Sequence, residues 1–213
     1  MRTAAGRAQT MTIHLHKGDI PADIDFGSSV AVDTETLGLI PNRDPLCLVQ
    51  LSSGDGEAHI VQLDRSSYDA PNLKALFASK DIEKIFHFAR FDIAIIKKYL
   101  EVDCAPVYCT RTASRLIRTY TDRHGLRECC RELLSVEISK QHQSSDWGAE
   151  NLTEDQLKYA ANDVYHLHKL KAKLDQMLER ENRAELARKC FDFLPLRAEL
   201  DLSGWPNIDI FEH

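Results

Sequence analysis

Asp33-Thr34-Glu35 closes the apolar run Val30–Val32. A run of that kind reads as a buried strand, and side chains two apart on a strand project to the same face. Asp33 and Glu35 then stand side by side, and each raises the other's pKa unless a cation lies between them. Oxygen-only ligands suit hard divalent ions such as Mg²⁺ and Mn²⁺. A third acid, Asp92, follows the pattern F-x-x-F at Phe88 and Phe91 and starts a helix. A fourth, Asp163, comes four residues after Tyr159, so the two share a helical face. Each group has a plain alternative when taken singly. These are a solvated strand end, an acid favoured by a helix N-terminus, and a surface Asp beside a half-buried Tyr.

These side chains need elements to carry them. Strands are predicted at 12–16, 28–33, 46–52, 58–63 and 83–88, with Ser53–Gly56 (SGDG) as a hairpin turn between the third and fourth. Pro71 opens a helix that runs to Phe77. Residues 91–100 have a wide apolar face, and 110–120 and 125–134 are Arg-rich helices. Thr153 and Gln156 form a capping-box pattern before one long helix, whose stripe is Leu157, Ala160, Val164, Leu167, Leu174 and Leu178. Strands first, with a helix between them, then helices, predicts an α/β fold: a mixed sheet flanked by helices. The tail 191–213 is apolar and acidic without clear periodicity, and is expected to pack on the body or on a neighbour.

The chain has 213 residues, a net charge of −6, 43% apolar and 28% charged residues, which argues for a globular domain and against disorder. No apolar run reaches the roughly 20 residues a bilayer crossing needs, so no membrane partner is expected. Residues 1–11 read as a disordered lead or an upstream start, and 12–213 as a single domain. Six cysteines without a C-x-x-C pair argue against zinc and for a reducing cytoplasm. The remaining histidines show no zinc-ligand spacing, and there is no phosphate-cradling glycine loop. A net negative chain is not an obvious long-duplex binder. Arg111, Arg115 and Arg118 nevertheless fall on one helical face, and Arg123, Arg127 and Arg131 repeat the pattern. That face reads as a phosphate-attracting groove, a subunit contact for the acidic tail, or a solvated surface.

In order and spacing, D-x-E, the Asp after F-x-x-F, and Y-x-x-x-D resemble the DEDDy 3′–5′ exonucleases, above all the ribonuclease D group. The resemblance runs through DTETLGL (33–39), LCLVQLS (46–52), HFARFD (87–92), QHQSSDW (141–147) and LTEDQLKYAANDVYHL (152–167). The compact length, YCTRTASRLIRTYTDRHGL (108–126), QSSDW (143–147) and LDLSGWPNIDIF (200–211) look most like the nano-RNase C branch. The resemblance implies a ribonuclease H-like sheet without appended HRDC-type domains. It implies a metal-dependent exoribonuclease that reduces short single-stranded RNA and dinucleotides to nucleoside 5′-monophosphates, and a ring-shaped homo-oligomer, an octamer. Asp33, Glu35, Asp92 and Asp163 become ligands for two divalent ions, Mg²⁺ or Mn²⁺, and Tyr159 a residue that orients the attacking water. Thr34, Leu39, His87, Arg90, Phe91, Gln143, Ser145, Trp147, Arg111 and Arg115 fall on the substrate side. Leu39 matches an apolar wedge between two bases, with a core Leu as the alternative, and Gln50 matches a family Gln that can be purely structural. Competing readings are an exonuclease on longer RNA or DNA 3′ ends, a silent nucleic-acid-binding scaffold, and a metal phosphatase. The complete acid set with Tyr159 speaks against the scaffold, and Y-x-x-x-D against the phosphatase.

Overall fold

The computed structural model describes residues 11–139 and 145–213. Six strands form one sheet: β1 (Thr12–Lys17), β2 (Ser29–Thr36), β3 (Leu46–Ser52), β4 (Glu57–Gln62), β5 (Glu83–Phe86) and β6 (Val107–Cys109), in the order β1-β4-β3-β2-β5-β6. β3 lies antiparallel between β2 and β4, while β1 runs parallel to β4 and β5 parallel to both β2 and β6. Every residue of β3 is buried, as expected of a strand covered on both faces. The mixed sheet flanked by helices agrees with the sequence expectation. β6 is the exception, because three residues are too short to show a strand period.

The helices are α1 (Pro71–Ala78), α2 (Ala89–Leu100), α3 (Thr110–Ile117), α4 (Leu126–Cys129) with a π-helical turn (Cys130–Leu134), α5 (Glu154–Tyr165), α6 (Leu167–Arg180) and α7 (Ala184–Leu202). The capping box before α5 is present: Thr153 Oγ1 accepts from the Gln156 N–H at 3.2 Å, and Gln156 Oε1 accepts from the Thr153 N–H at 3.0 Å. The expected single long helix is instead two. His166 breaks it, while Leu167, Leu170, Leu174 and Leu178 carry the buried stripe onward. The tail divides: its part up to Leu202 belongs to α7, while residues 203–213 are exposed. Ala187, Phe191, Leu194 and Ala198 form the buried stripe of α7, which packs on α2; two small alanines and the internal Pro195 hide that period in the sequence. Among the described residues no helix is long and apolar enough to cross a membrane.

The three arginines assigned to one face of α3 part company. Arg118 is fully buried. It donates to Ser114 Oγ at 2.9 Å, the Arg123 carbonyl at 2.7 Å and Cys129 Sγ at 3.3 Å, and pairs with the Glu132 carboxylate. It is therefore a structural cation that ties α3 to the segment 123–132. Arg118→Met is expected to cost about 2–4 kcal/mol in urea unfolding, since it strands buried acceptors. Arg115→Met, at an exposed position, should stay within roughly 0.5 kcal/mol.

Candidate active site

The acids arrive on three elements. On β2, Asp33 and Glu35 flank Thr34, which is buried. The register of pairing with β3 shifts between Glu35 and Thr36, just where the acids end. Between β5 and α2 the chain turns through Phe88, whose φ is 79°, so that Asp92 falls in the first turn of α2. Asp92 is buried, and Thr34 Oγ1 donates to its Oδ1 at 2.7 Å. The capped helix α5 brings Tyr159 and Asp163 across from β2.

Asp33, Glu35 and Asp163 offer oxygens that all lie within 4.8 Å of one another. Asp92 stands behind this trio, close enough that its charge presses on Glu35 and that of Asp33 presses on it. Burial pushes the Asp33 carboxyl up to about 7. Burial, with repulsion from Asp33, Asp163 and Asp92, pushes Glu35 up to about 10. Asp92 and Asp163 are likewise raised well above the usual carboxylate range by burial and by Asp33. Among the described residues no Lys or Arg forms an ion pair with any of the four. Gln50, directly across the ladder from Asp33, is fully buried with neither amide atom hydrogen-bonded. Oxygen donors crowded together without a counter-charge, beside an unpaired amide, fit a site for hard divalent cations.

The acids open into a cleft of about 1040 Å³. Leu37 and Leu39 form one lip, and Leu39 is 84% exposed, so the core alternative for it fails. Phe88, Phe91 and Arg111 also line the cleft, with the Arg111 guanidinium 4.7 Å from the Phe88 ring centre. Ser145 and buried Trp147 also line the cleft, and the Trp147 ring lies 5.9 Å from that of Tyr159. Tyr159 lines the cleft too; burial and the neighbouring acids Asp163, Glu35 and Asp33 raise its phenol further.

Other expected substrate contacts fare differently. His87 borders the cleft, but its Nδ1 is 2.8 Å from Thr110 Oγ1 and burial lowers its pKa to about 3. Burial thus favours its neutral form. Thr34 lines the cleft, yet its hydroxyl is committed to Asp92. Arg90 is corrected outright: its fork grips the Asp201 carboxylate at 2.5 and 2.7 Å and also reaches the Pro206 carbonyl. Arg115 is exposed but does not line the cleft. Gln143 lies outside the described residues. Sequence reasoning missed Leu37, Phe88 and Arg127 as cleft residues. Phe88 was visible in F-x-x-F and Arg127 in the second arginine repeat; nothing in the sequence marked Leu37.

A family model described as 3′–5′ exonuclease matches residues 19–179. Ribonuclease D of Nitrobacter hamburgensis is 32% identical over 178 residues, covering 79% of this chain and 46% of its own. DNA polymerase I of Aquifex aeolicus is 32% identical over 203 residues, covering 85% of this chain and 32% of its own. The chain thus spans less than half the length of these curated relatives. Among solved structures, Brucella melitensis NrnC with bound Mg²⁺ superposes with a TM-score of 0.91 at 54% identity, covering 95% of this chain and 100% of that one. Brucella melitensis NrnC bound to pGG gives 0.92 at 55% identity, covering 96% and 100%.

The raised acids make metal-free stability pH-dependent. A carboxyl whose pKa is higher when folded contributes its stability below the unfolded value near 4, and loses it as pH rises through the folded value. The melting temperature in EDTA should therefore fall between pH 5 and 9, and Mg²⁺ should restore it. Asp33→Asn should flatten the fall, raise the metal-free melting temperature at pH 8 by about 2–6 °C, and blunt the response to Mg²⁺. Calorimetric scans with and without EDTA check all three.

Proposed function

Because this chain belongs to the 3′–5′ exonuclease family, we propose that it is a metal-dependent exoribonuclease acting on short RNA, down to dinucleotides. One observation carries the reading: three carboxylates converge within 4.8 Å, with a fourth behind them, at the foot of an open cleft. Two divalent cations, Mg²⁺ or Mn²⁺, held by Asp33, Glu35, Asp92 and Asp163, would polarise the scissile phosphate and lower the pKa of the attacking water. The Mg²⁺ bound by the Brucella protein supports that choice of ion.

The chain's own residues do the rest. Thr34 holds Asp92 in one rotamer through its 2.7 Å hydrogen bond. Trp147 backs Tyr159, whose hydroxyl orients the water. Water adds to the phosphorus of the last phosphodiester, and the bond to the 3′-oxygen breaks. A nucleoside 5′-monophosphate leaves, and the departing oxygen takes a proton. Leu39 enters between the terminal bases, Phe91 and Phe88 offer faces for stacking, and Arg111 takes a phosphate. Ser145, which lines the cleft, would hydrogen-bond the substrate. A cleft near the upper end of the small-ligand range favours a short chain over a long one. The pGG bound by the Brucella protein supports the same size class.

We also assign residues 12–213 to one exonuclease domain, a ring-shaped homo-oligomer to the native state and the cytoplasm as its compartment. Exposed Phe193, Leu196, Trp205, Ile208 and Phe211 support contact with a second copy. Six unpaired thiols support a reducing compartment.

A series of labelled RNAs from two to twenty nucleotides, with matched DNAs and EDTA controls, tests the reading. The two-nucleotide RNA should be consumed at least as fast as the longer strands, and EDTA should stop all turnover. Asp163→Ala should leave less than a tenth of the activity in saturating Mn²⁺. A dinucleotide that persists while longer RNA or DNA vanishes would favour the longer-substrate reading.

A further inference from the structure

The loop that carries Leu39 hangs on a single carboxylate. Asp44 is only 6% exposed, although it sits in a surface turn. Its Oδ2 accepts from the Ile40 N–H at 2.9 Å, and the Leu39 N–H turns to the same carboxylate. Arg43 closes over it with Nε at 2.6 Å from Oδ1 and Nη2 at 2.9 Å from Oδ2. The backbone completes the turn: the Arg43 and Asp44 N–H groups both donate to the Ile40 carbonyl, at 2.9 and 2.8 Å. Thr36 Oγ1 donates to the Gly38 carbonyl from the other side.

Gly38 is part of the same device, and its need is space rather than backbone freedom. A Cβ there would lie 2.2 Å from Asp44 Oδ2. No side chain fits while the carboxylate stays in place. Leu37, on the other flank, packs so closely on Gly148 that a Cβ at 148 would lie 2.9 Å from its Cδ2. The tripeptide Leu37-Gly38-Leu39 is therefore held at both ends, and its apolar tip is left standing in solvent. An exposed leucine on a loose loop would be ordered only at the moment of binding, at a cost in affinity; a braced one is ordered beforehand.

We propose that Asp44 is a positioning residue for substrate affinity, acting through Leu39 by fixing the loop that holds this side chain in the cleft. The inference rests on the short-RNA reading above. Asp44 does not line the cleft, so it acts on substrate only through the loop.

The experiment is a double-mutant cycle on Asp44 and Leu39, read with pGG and with bis(p-nitrophenyl) phosphate, which has no bases for a wedge to enter. Asp44→Ala should raise KM for pGG about tenfold, change kcat less than twofold, and leave bis(p-nitrophenyl) phosphate hydrolysis within twofold. Asp44→Asn, which keeps an acceptor, should fall between it and the wild type. In a Leu39→Ala background, Asp44→Ala should add less than a further twofold. Gly38→Ala keeps the carboxylate but displaces it, so it should reproduce the KM effect even if Asp44→Ala fails to fold. Multiplicative losses in the double variant, or equal losses on both substrates, would overturn the brace while sparing the functional reading. A wild-type protein that hydrolyses bis(p-nitrophenyl) phosphate but not pGG would instead overturn the short-RNA reading, and the brace with it.

Discussion

Four carboxylates that cannot all be ionised together in the absence of a counter-charge set the terms for this molecule. Removing one ion from water costs several kcal/mol even after relaxation, and here like charges are stacked on that cost. A fold built for stability alone would neutralise them with arginine or lysine. Among the described residues no such cation is paired with the four acids. Arg118 is spent on Glu132, and Arg90 on Asp201. The sheet and helices instead hold the acids in place. Flanking strands fix β2, Thr34 latches Asp92, and a capping box anchors the start of α5. The site thus keeps a standing demand for divalent cations, and the protein's ordinary stability absorbs the strain.

The arginines show how little a residue type says without its place. Arg111, Arg115 and Arg118 share a helical spacing but end as a cleft wall, a solvated surface and a buried strut. Only the first can meet a phosphate in the cleft. Arg118 grips the Arg123 carbonyl and Glu132, on either side of residues 125–128, which also line the cleft. Arg90 links the entrance of α2 to the C-terminal segment, where Arg197 shares the same Asp201. The helix that carries Asp92 and the last helix of the chain are therefore mechanically joined.

Much of this is legible in the sequence. The strand before Asp33, the helix after Phe88 and the capping box before Tyr159 are strong local signals, and they place all five central residues. Longer-range facts were not legible. Nothing in the local pattern marks His166 as a helix break or reveals the apolar period of α7 behind its alanines. The partner of Arg90 lies 111 residues away and could not be read from spacing. The value of Gly38 lies in a carboxylate six residues on, which only the closed loop brings against it.

The most direct test of the central claim is anomalous diffraction at the manganese edge from crystals equilibrated with Mn²⁺. Density bounded by Asp33, Glu35 and Asp163, with Asp92 drawn into the same coordination shell, is the predicted result. Well-ordered carboxylates with no manganese among them would contradict the account.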